Sequence, residues 1–262
     1  MVFKFSERLE ETVDKHRIYE QKIAIEENHT KTFFDMRAKN MQQMVCPYMA
    51  VLLGDQEPKH SDNWNKFEKK YILPKMEITS KNAVLDIGCG IGRWAESVIP
   101  LCGYYYGSDF SSQMIKTAKE RIHFKDCQYE FKNESFQALL NQPADGFKRK
   151  FDRLIIDCVC MYINDADISG CYQKLLGLLD EHAILYFVET VAISKRITLS
   201  DFYSSALQTN YDAIYRTPEE YNAYYDIFTR NGFQIKEQNY LPHDNQGKEF
   251  YETDRLYTIL EK

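Results

Sequence analysis

No run of about 18 consecutive apolar residues occurs in the 262-residue chain, so no membrane-spanning helix is expected. The opening residues, Met1-Val2-Phe3-Lys4-Phe5-Ser6-Glu7, are too polar for a secretory signal. None of the seven cysteines forms a Cys-x-x-Cys pair. An odd, scattered set fits free thiols in a reducing cytoplasm better than a disulfide frame. Positive charge is in deficit, with 33 Lys and Arg against 39 Asp and Glu and a net charge of −6. That balance removes the electrostatic reason to expect a nucleic-acid partner. The phosphate-binding pattern Gly-x-x-x-x-Gly-Lys-Ser/Thr is absent, and no internal repeat or low-complexity segment is visible. No His-x-Asp or paired-carboxylate spacing suggests a metal site.

What is present is enough for a sizeable core: 44% hydrophobic residues beside 27% charged ones, a balance that argues against global disorder. Aromatics are plentiful, with 19 Tyr and 16 Phe. They fit core packing, or the walls of a pocket for an organic substrate. Residues 6–27 are charge-dense and lack Gly and Pro, which predicts a mostly solvated helix. Residues 30–46 continue helical, 54–62 read as a loop, and 63–73 as another helix ended by Pro74. From residue 83, short apolar runs alternate with amphipathic stretches. Strands are expected at 83–87, 104–109, 127–131, 153–157 and 183–188, with helices at 92–101, 111–122 and 165–179 between them. Ser111 is a plausible helix cap. Two late strands, 233–235 and 256–260, suggest an antiparallel pair at the sheet edge. The expected fold is therefore α/β, a doubly wound sheet with helices on both faces. A helical extension or lid (residues 1–74) precedes the main domain (75–262). Ligands of such sheets bind beyond the carboxyl ends of the strands.

The informative run is Val84-Leu85-Asp86-Ile87-Gly88-Cys89-Gly90-Ile91-Gly92-Arg93-Trp94. A strand ends in an acid and turns through three glycines, which let the backbone approach a ligand closely. The following helix offers free N–H groups. Asp109 lies 21 residues after Gly88 (109 − 88) at the end of the second strand, where a carboxylate can accept from both hydroxyls of a ribose. The spacing is not the dinucleotide fingerprint Gly-x-Gly-x-x-Gly, because its third position is Arg93. Asp86 would also sit badly beside a pyrophosphate and suits a ligand with a positive end.

Over roughly residues 70–190 the chain resembles the class I S-adenosylmethionine-dependent methyltransferases. The Asp86–Gly92 run is similar to their first motif, Asp109 to their ribose-binding acid, Asn133-Glu134-Ser135-Phe136 to a turn against the adenine, and Phe151–Asp165 to their fourth-strand motif. The resemblance implies a Rossmann-like, mostly parallel seven-stranded sheet whose last strand is antiparallel. It also implies S-adenosylmethionine as donor, S-adenosylhomocysteine as product, and no metal. By the same resemblance Gly88, Gly90 and Gly92, with Cys89 and Trp94 beside them, pass beneath the donor, and Asp86 holds its amino group. Asp109 takes the ribose; Phe110, Met114 and the adjoining Ser111 flank the adenine; Glu134 or Ser135 meets its amino edge. Asp157, Cys158 and Val159 border the methionine and methyl, and Arg37 reaches the donor carboxylate if the extension folds over the cleft. Plainer roles stand beside these: Asp109 as a helix cap, Cys158 as an inert buried thiol, Glu134 as a surface acid, Arg37 as a solvated side chain.

Methyl transfer from a sulfonium is an in-line displacement, and a base is needed only when the acceptor must lose a proton. The candidates are Glu189, expected at the cleft mouth, together with His29 and Tyr162; His243 is a weaker one. Residues 190–231, rich in Tyr and Arg, are expected to form the acceptor site. The acceptor is then a small metabolite, natural-product intermediate or sugar, methylated on O or N. A protein or peptide N-methyltransferase, a polyamine synthase of the same fold, and a non-catalytic donor-binding scaffold are the alternatives. No nucleic-acid or membrane partner is expected, and the state is monomer or homodimer.

Overall fold

The computed structural model describes residues 16–55, 57–142, 146–241 and 252–262. In chain order the elements are β1 (Arg17–Tyr19), α1 (Glu27–Asn40), α2 (Met49–Leu52), α3 (Pro58–Phe67), β2 (Ala83–Ile87), α4 (Ala95–Val98), β3 (Tyr104–Asp109), α5 (Ser112–Arg121), β4 (Tyr129–Asn133), α6 (Phe136–Leu140), β5 (Phe151–Asp157), α7 (Asp165–Leu175), β6 (Leu179–Ala192), β7 (Ile197–Ser204), β8 (Thr209–Tyr215), α8 (Pro218–Thr229), β9 (Gln234–Tyr240) and β10 (Thr253–Glu261).

Seven strands form one sheet in the order β4-β3-β2-β5-β6-β10-β9. The first five run parallel, β10 is antiparallel to β6, and β9 is antiparallel to β10. The expected sheet and its antiparallel late pair are thus present. The period-2 alternation of buried strands divides the core between two faces. Leu85, Ile87, Leu154, Ile156, Leu185 and Phe187 pack with residues of α6, α7 and α8. Val84, Ile155, Ile184, Tyr186 and Val188 pack on the other side with Trp64, Val98, Ile115 and Ala118. Strand order reverses between β2 and β5, so the crevice for a ligand opens at their carboxyl ends.

Caps follow the residue chemistry. The Ser111 hydroxyl accepts from Met114 N–H at 3.0 Å and starts α5. Ser135 does the same for α6, and Thr217 with Glu220 forms a capping box on α8.

Several element boundaries differ from expectation. Of the helix expected over 6–27, residues 6–15 lie outside the described residues, and Arg17–Tyr19 is a strand pairing with β7. The helix expected over 92–101 shortens to α4; the chain spends 88–94 in a turn with three left-handed glycines. Strand β6 runs to 14 residues because β10 pairs with it from Thr253 to Glu261. Within the segment 190–231, β7 and β8 form a hairpin that joins β1 in a second, three-stranded sheet. That sheet packs on α1 through Phe33, Ile197, Leu199 and Tyr211. No helix among the described residues is long and apolar enough to cross a membrane.

Candidate functional site

The glycine turn is fastened from outside. Gly88 and Cys89 N–H donate to the Ser108 carbonyl at 2.8 and 2.9 Å, which leaves the turn at the end of β2 and clamps it to β3. Gly88, Gly90 and Gly92 all have left-handed φ, at 74°, 53° and 80°. A Cβ on Gly90 would lie 2.6 Å from Val51 Cγ1 of α2. Gly90→Ala therefore combines a clash with backbone strain of about 1–2 kcal/mol. Gly90→Ala/Val51→Ala should regain the clash component alone, as thermal unfolding of the single and double variants will show.

Asp109 is the polar centre. Its Oδ2 accepts Gly90 N–H at 3.0 Å and its Oδ1 accepts Ser111 N–H at 2.8 Å, so each oxygen keeps an open lone pair. The side chain of Asn133 donates to the carbonyls of Asp109 and Phe110 at 2.9 and 3.0 Å, holding that loop. Burial pushes the Asp109 carboxyl up to about 6, opposed by the two N–H donors and reinforced by Asp35. Ser111 donates to Asp35 of α1 at 2.5 Å, which draws the N-terminal segment over the site.

Gly88, Gly90, Asp109 and Phe110 line a cleft with about 710 Å³ of empty space, its open mouth included. That lies within the ~300–1,000 Å³ usual for small-ligand pockets. Met114, Glu134, Ser135, Asp157, Cys158, Val159 and Tyr162 complete the expected lining. Ile87, Phe136 and Ile163, each within one of the quoted motifs, also line it, as do Glu27, Phe34, Val51 and Gln137, for which composition and pattern gave no signal; Phe34 and Val51 arrive from helices far back in the chain. Along this lining the charged side chains are Glu27, Asp109, Glu134 and Asp157, all acidic, a wall suited to a cationic ligand. Two of the lining's other aromatic rings meet Phe34 edge-on, Tyr162 at 5.2 Å and Phe110 at 6.2 Å between centroids.

Eight expected site residues lie outside the lining. Asp86 is buried, accepts from the Tyr105 hydroxyl at 2.5 Å, and is raised to about 7 by burial. Cys89 is buried against β3, and Gly92 packs on Ile122. Trp94 donates its indole N–H to Asp157 Oδ2 at 2.9 Å, while Ser111 acts as the α5 cap. Arg37 turns inward, to the Met49 and Ala50 carbonyls and to Asp55 at 3.0 Å, and braces α1 against α2. Glu189 does not face the cleft mouth: it is 1% exposed. Its oxygens accept N–H groups of Val159, Cys160 and Met161 at 3.3, 2.8 and 3.1 Å, so it shapes the loop after β5. His29 lies on the outer side of α1, 3.5 Å from Asp212. Tyr162 does line the cleft, but its hydroxyl is 2.6 Å from that of Tyr211. Burial raises it well above the ordinary phenol range, so it is no base near neutral pH. Of the aromatic residues of 190–231, Phe202, Tyr211 and Tyr215 pack in the same cluster as Tyr162, whereas Tyr221, Tyr225 and Phe228 of α8 pack in the core against β6 and α7. His243 lies outside the described residues. Among the described residues no group of three or more His, Cys, Asp or Glu could hold a metal.

Residues 84–182 match a family model described as a methyltransferase domain. That stretch carries the glycine turn, Asp109 and the loop after β5. Residues 84–182 carry a methyltransferase domain. The methyltransferase domain is 25% identical over 136 residues to a ubiquinone biosynthesis O-methyltransferase of Histophilus somni, covering 51% of this chain and 55% of that one. The chain spans about half the length of the curated relatives it matches. In fold it is similar to Haemonchus contortus phosphoethanolamine N-methyltransferase 1 in complex with phosphoethanolamine and S-adenosylhomocysteine. The TM-score is 0.61 at 16% identity, covering 89% of this chain and 48% of that one. It is also similar to magnesium protoporphyrin IX methyltransferase from Synechocystis with bound S-adenosylmethionine: TM-score 0.56 and 15% identity, covering 91% and 99%.

Proposed function

We propose that this protein binds S-adenosylmethionine in the cleft and directs its methyl group to an oxygen or nitrogen of a small-molecule acceptor. The observation that carries the donor half is Asp109, fixed by two backbone N–H groups at the mouth of a glycine turn with lone pairs left for a ribose diol. The acid-only charge of the lining supports a sulfonium ligand. Support for a small acceptor comes from the cleft's size and from relatives named for ubiquinone biosynthesis, phosphoethanolamine and magnesium protoporphyrin IX. The donor brings an activated methyl, so the protein's task is alignment, which can supply ~7–11 kcal/mol of barrier reduction. Phe34, Phe110 and Tyr162 exclude water around the reacting centre, and Glu189 holds the 159–161 backbone in place. With Glu189 tied up and Tyr162 protonated, an acceptor with its own lone pair, such as an amine, or an acidic hydroxyl is the best match.

The test is thermal unfolding with S-adenosylhomocysteine beside NAD. At 100 times Kd a ligand stabilises by ~2.7 kcal/mol, or roughly 5–10 °C for a chain near this size. A rise with S-adenosylhomocysteine alone is expected; a rise with NAD, or with neither, would sink the proposal.

Affinity should also depend on pH. Only ionised Asp109 accepts from both hydroxyls, and its pKa stands at about 6. Calorimetry should therefore find S-adenosylhomocysteine about tenfold weaker at pH 5 than at pH 7.5. The unliganded fold responds in the opposite sense: a raised carboxyl favours the folded state at low pH, and Asp109's contribution is lost as pH climbs through about 6. A flat affinity profile between pH 5 and 7.5 would remove Asp109 from the binding step.

A further inference from the structure

Arg255 sits near the start of β10, opposite Thr190 of β6, at the edge of the sheet where the cleft opens. One arm of its guanidinium is engaged. Nη2 donates to the Leu52 carbonyl at the end of α2 at 3.2 Å, and the plane lies over Trp64, 5.1 Å from the ring centroid. The other arm, Nη1, is buried and has no hydrogen-bond partner among the described residues. The carboxylates whose charge reaches it, Asp157 and Glu68, are both taken by Arg93. Buried donors are almost always satisfied, and a charged one without a partner calls for an explanation.

The surroundings of that arm connect it to the cleft. One of its neighbours is Cys158, a thiol kept neutral by burial, which lines the cleft. Tyr215, at the end of β8, packs against the cluster that holds Tyr211 and is near enough to Arg255, Arg17 and Cys158 for their charges to bear on its hydroxyl. Tyr211 in turn meets Tyr162, which lines the cleft. Three tyrosines, Tyr162, Tyr211 and Tyr215, therefore share the layer between the cleft and the cation, with Leu53 and Phe34 packed beside them. Arg17 is not free, being held by Glu252 and Tyr19. No cationic side chain lines the cleft itself, so an anionic group on the acceptor would find its charge partner in a cation set just outside that lining.

We infer that Arg255, assisted by the Tyr215 hydroxyl, is a binding site for an oxyanion, a carboxylate or phosphate monoester carried by the acceptor, beside Cys158 and next to the donor cleft. The role given to the anion rests on the methyl-transfer proposal; its detection does not. An Arg–oxyanion pair is charge-assisted and two-pronged, which would hold one end of a small molecule while the other approaches the methyl.

The experiment titrates inorganic phosphate, and separately acetate, into the full chain by calorimetry at pH 8, with chloride balancing ionic strength. It is run with and without saturating S-adenosylhomocysteine. Phosphate or acetate should bind wild type in preference to chloride, and the stronger of the two identifies the anion class. Arg255→Gln should weaken it at least about tenfold. Should that variant fail to fold, Arg255→Lys, which keeps a cation for Leu52 but loses the fork, must show the same loss. Tyr215→Phe must weaken binding by a smaller factor. Neither anion binding above chloride, or equal binding in wild type and the Arg255 variants, overturns the inference. Failure of S-adenosylhomocysteine to bind, with Arg255-dependent phosphate or acetate binding intact, overturns the donor proposal and leaves the anion site standing.

Discussion

Asp109→Ala is expected to abolish measurable S-adenosylhomocysteine binding while leaving a folded protein. Hydrogen bonds to a charged acceptor contribute about 1.5–3 kcal/mol each. Losing two ribose contacts then costs about 3–6 kcal/mol, or at least a hundredfold in Kd. The variant also orphans the N–H groups of Gly90 and Ser111, which now end on the carboxylate. Asp109→Asn separates these effects, because its amide oxygen can still accept from one N–H. If the turn itself were the only casualty, Asn would restore binding nearly in full. If the charge receives the ribose, Asn should remain weak. The readout is the ligand-induced rise in unfolding midpoint of each variant, measured from its own unliganded value. A rise equal to wild type in Asp109→Ala would show that the carboxylate is only a loop fastener and that the ligand lies elsewhere.

Local chemistry explains which parts of this molecule could be read from the chain. The Asp86–Gly92 run and the position of Asp109 follow from what one turn needs, backbone conformations open to glycine and a carboxylate one strand over. Both were visible in the residues. The parallel strands were visible as continuous apolar runs, since both their faces are covered. Arg37 and Glu189 show where that legibility ends. Each is a charged residue at a plausible distance along the chain from the cleft, yet each is turned to backbone groups that only the folded chain brings near: carbonyls of α2 for Arg37, the 159–161 N–H groups for Glu189. Asp86 is a subtler case. A strand-end acid before a glycine turn suggested a ligand contact, but the partner that claims it, Tyr105, reads in sequence as one tyrosine among three in a row. The pairing of β7 with β1 was missed because it spans roughly 180 residues of chain, a distance at which no periodicity reports.

Arg93→Met should be the most damaging of the stability changes. Arg93 is 3% exposed and lies between two acids, with Nη1 at 2.5 Å from Glu68 Oε2 and Nη2 on Asp157 Oδ2. Glu68 is itself fully buried and also receives the Tyr186 hydroxyl at 3.1 Å. Removing the cation leaves two carboxylates with only neutral donors, and breaking a buried pair this way costs about 3–5 kcal/mol. At roughly 2–4 °C per kcal/mol, the midpoint should drop by roughly 6–20 °C. The loss should shrink in acid. Burial already holds Glu68 at about 7 against the pull of Arg93; without that pull its folded pKa climbs further. Stability of the variant is then greatest at low pH and is lost as pH rises through that pKa. Unfolding curves at pH 5.5 and pH 8 should bring the variant closer to wild type at the lower value. Arg93→Met/Glu68→Gln should recover part of the loss at pH 8 by removing one of the stranded charges. Equal destabilisation at both pH values would show that Arg93 acts through packing against Trp94, 5.1 Å below its guanidinium, and not through charge. Arg93 occupies the place where a dinucleotide-binding turn has its third glycine. The side chain that breaks that pattern reaches beneath the cleft and pins Asp157 at its floor, so the departure from one nucleotide fingerprint is also what charges and shapes the site for another ligand.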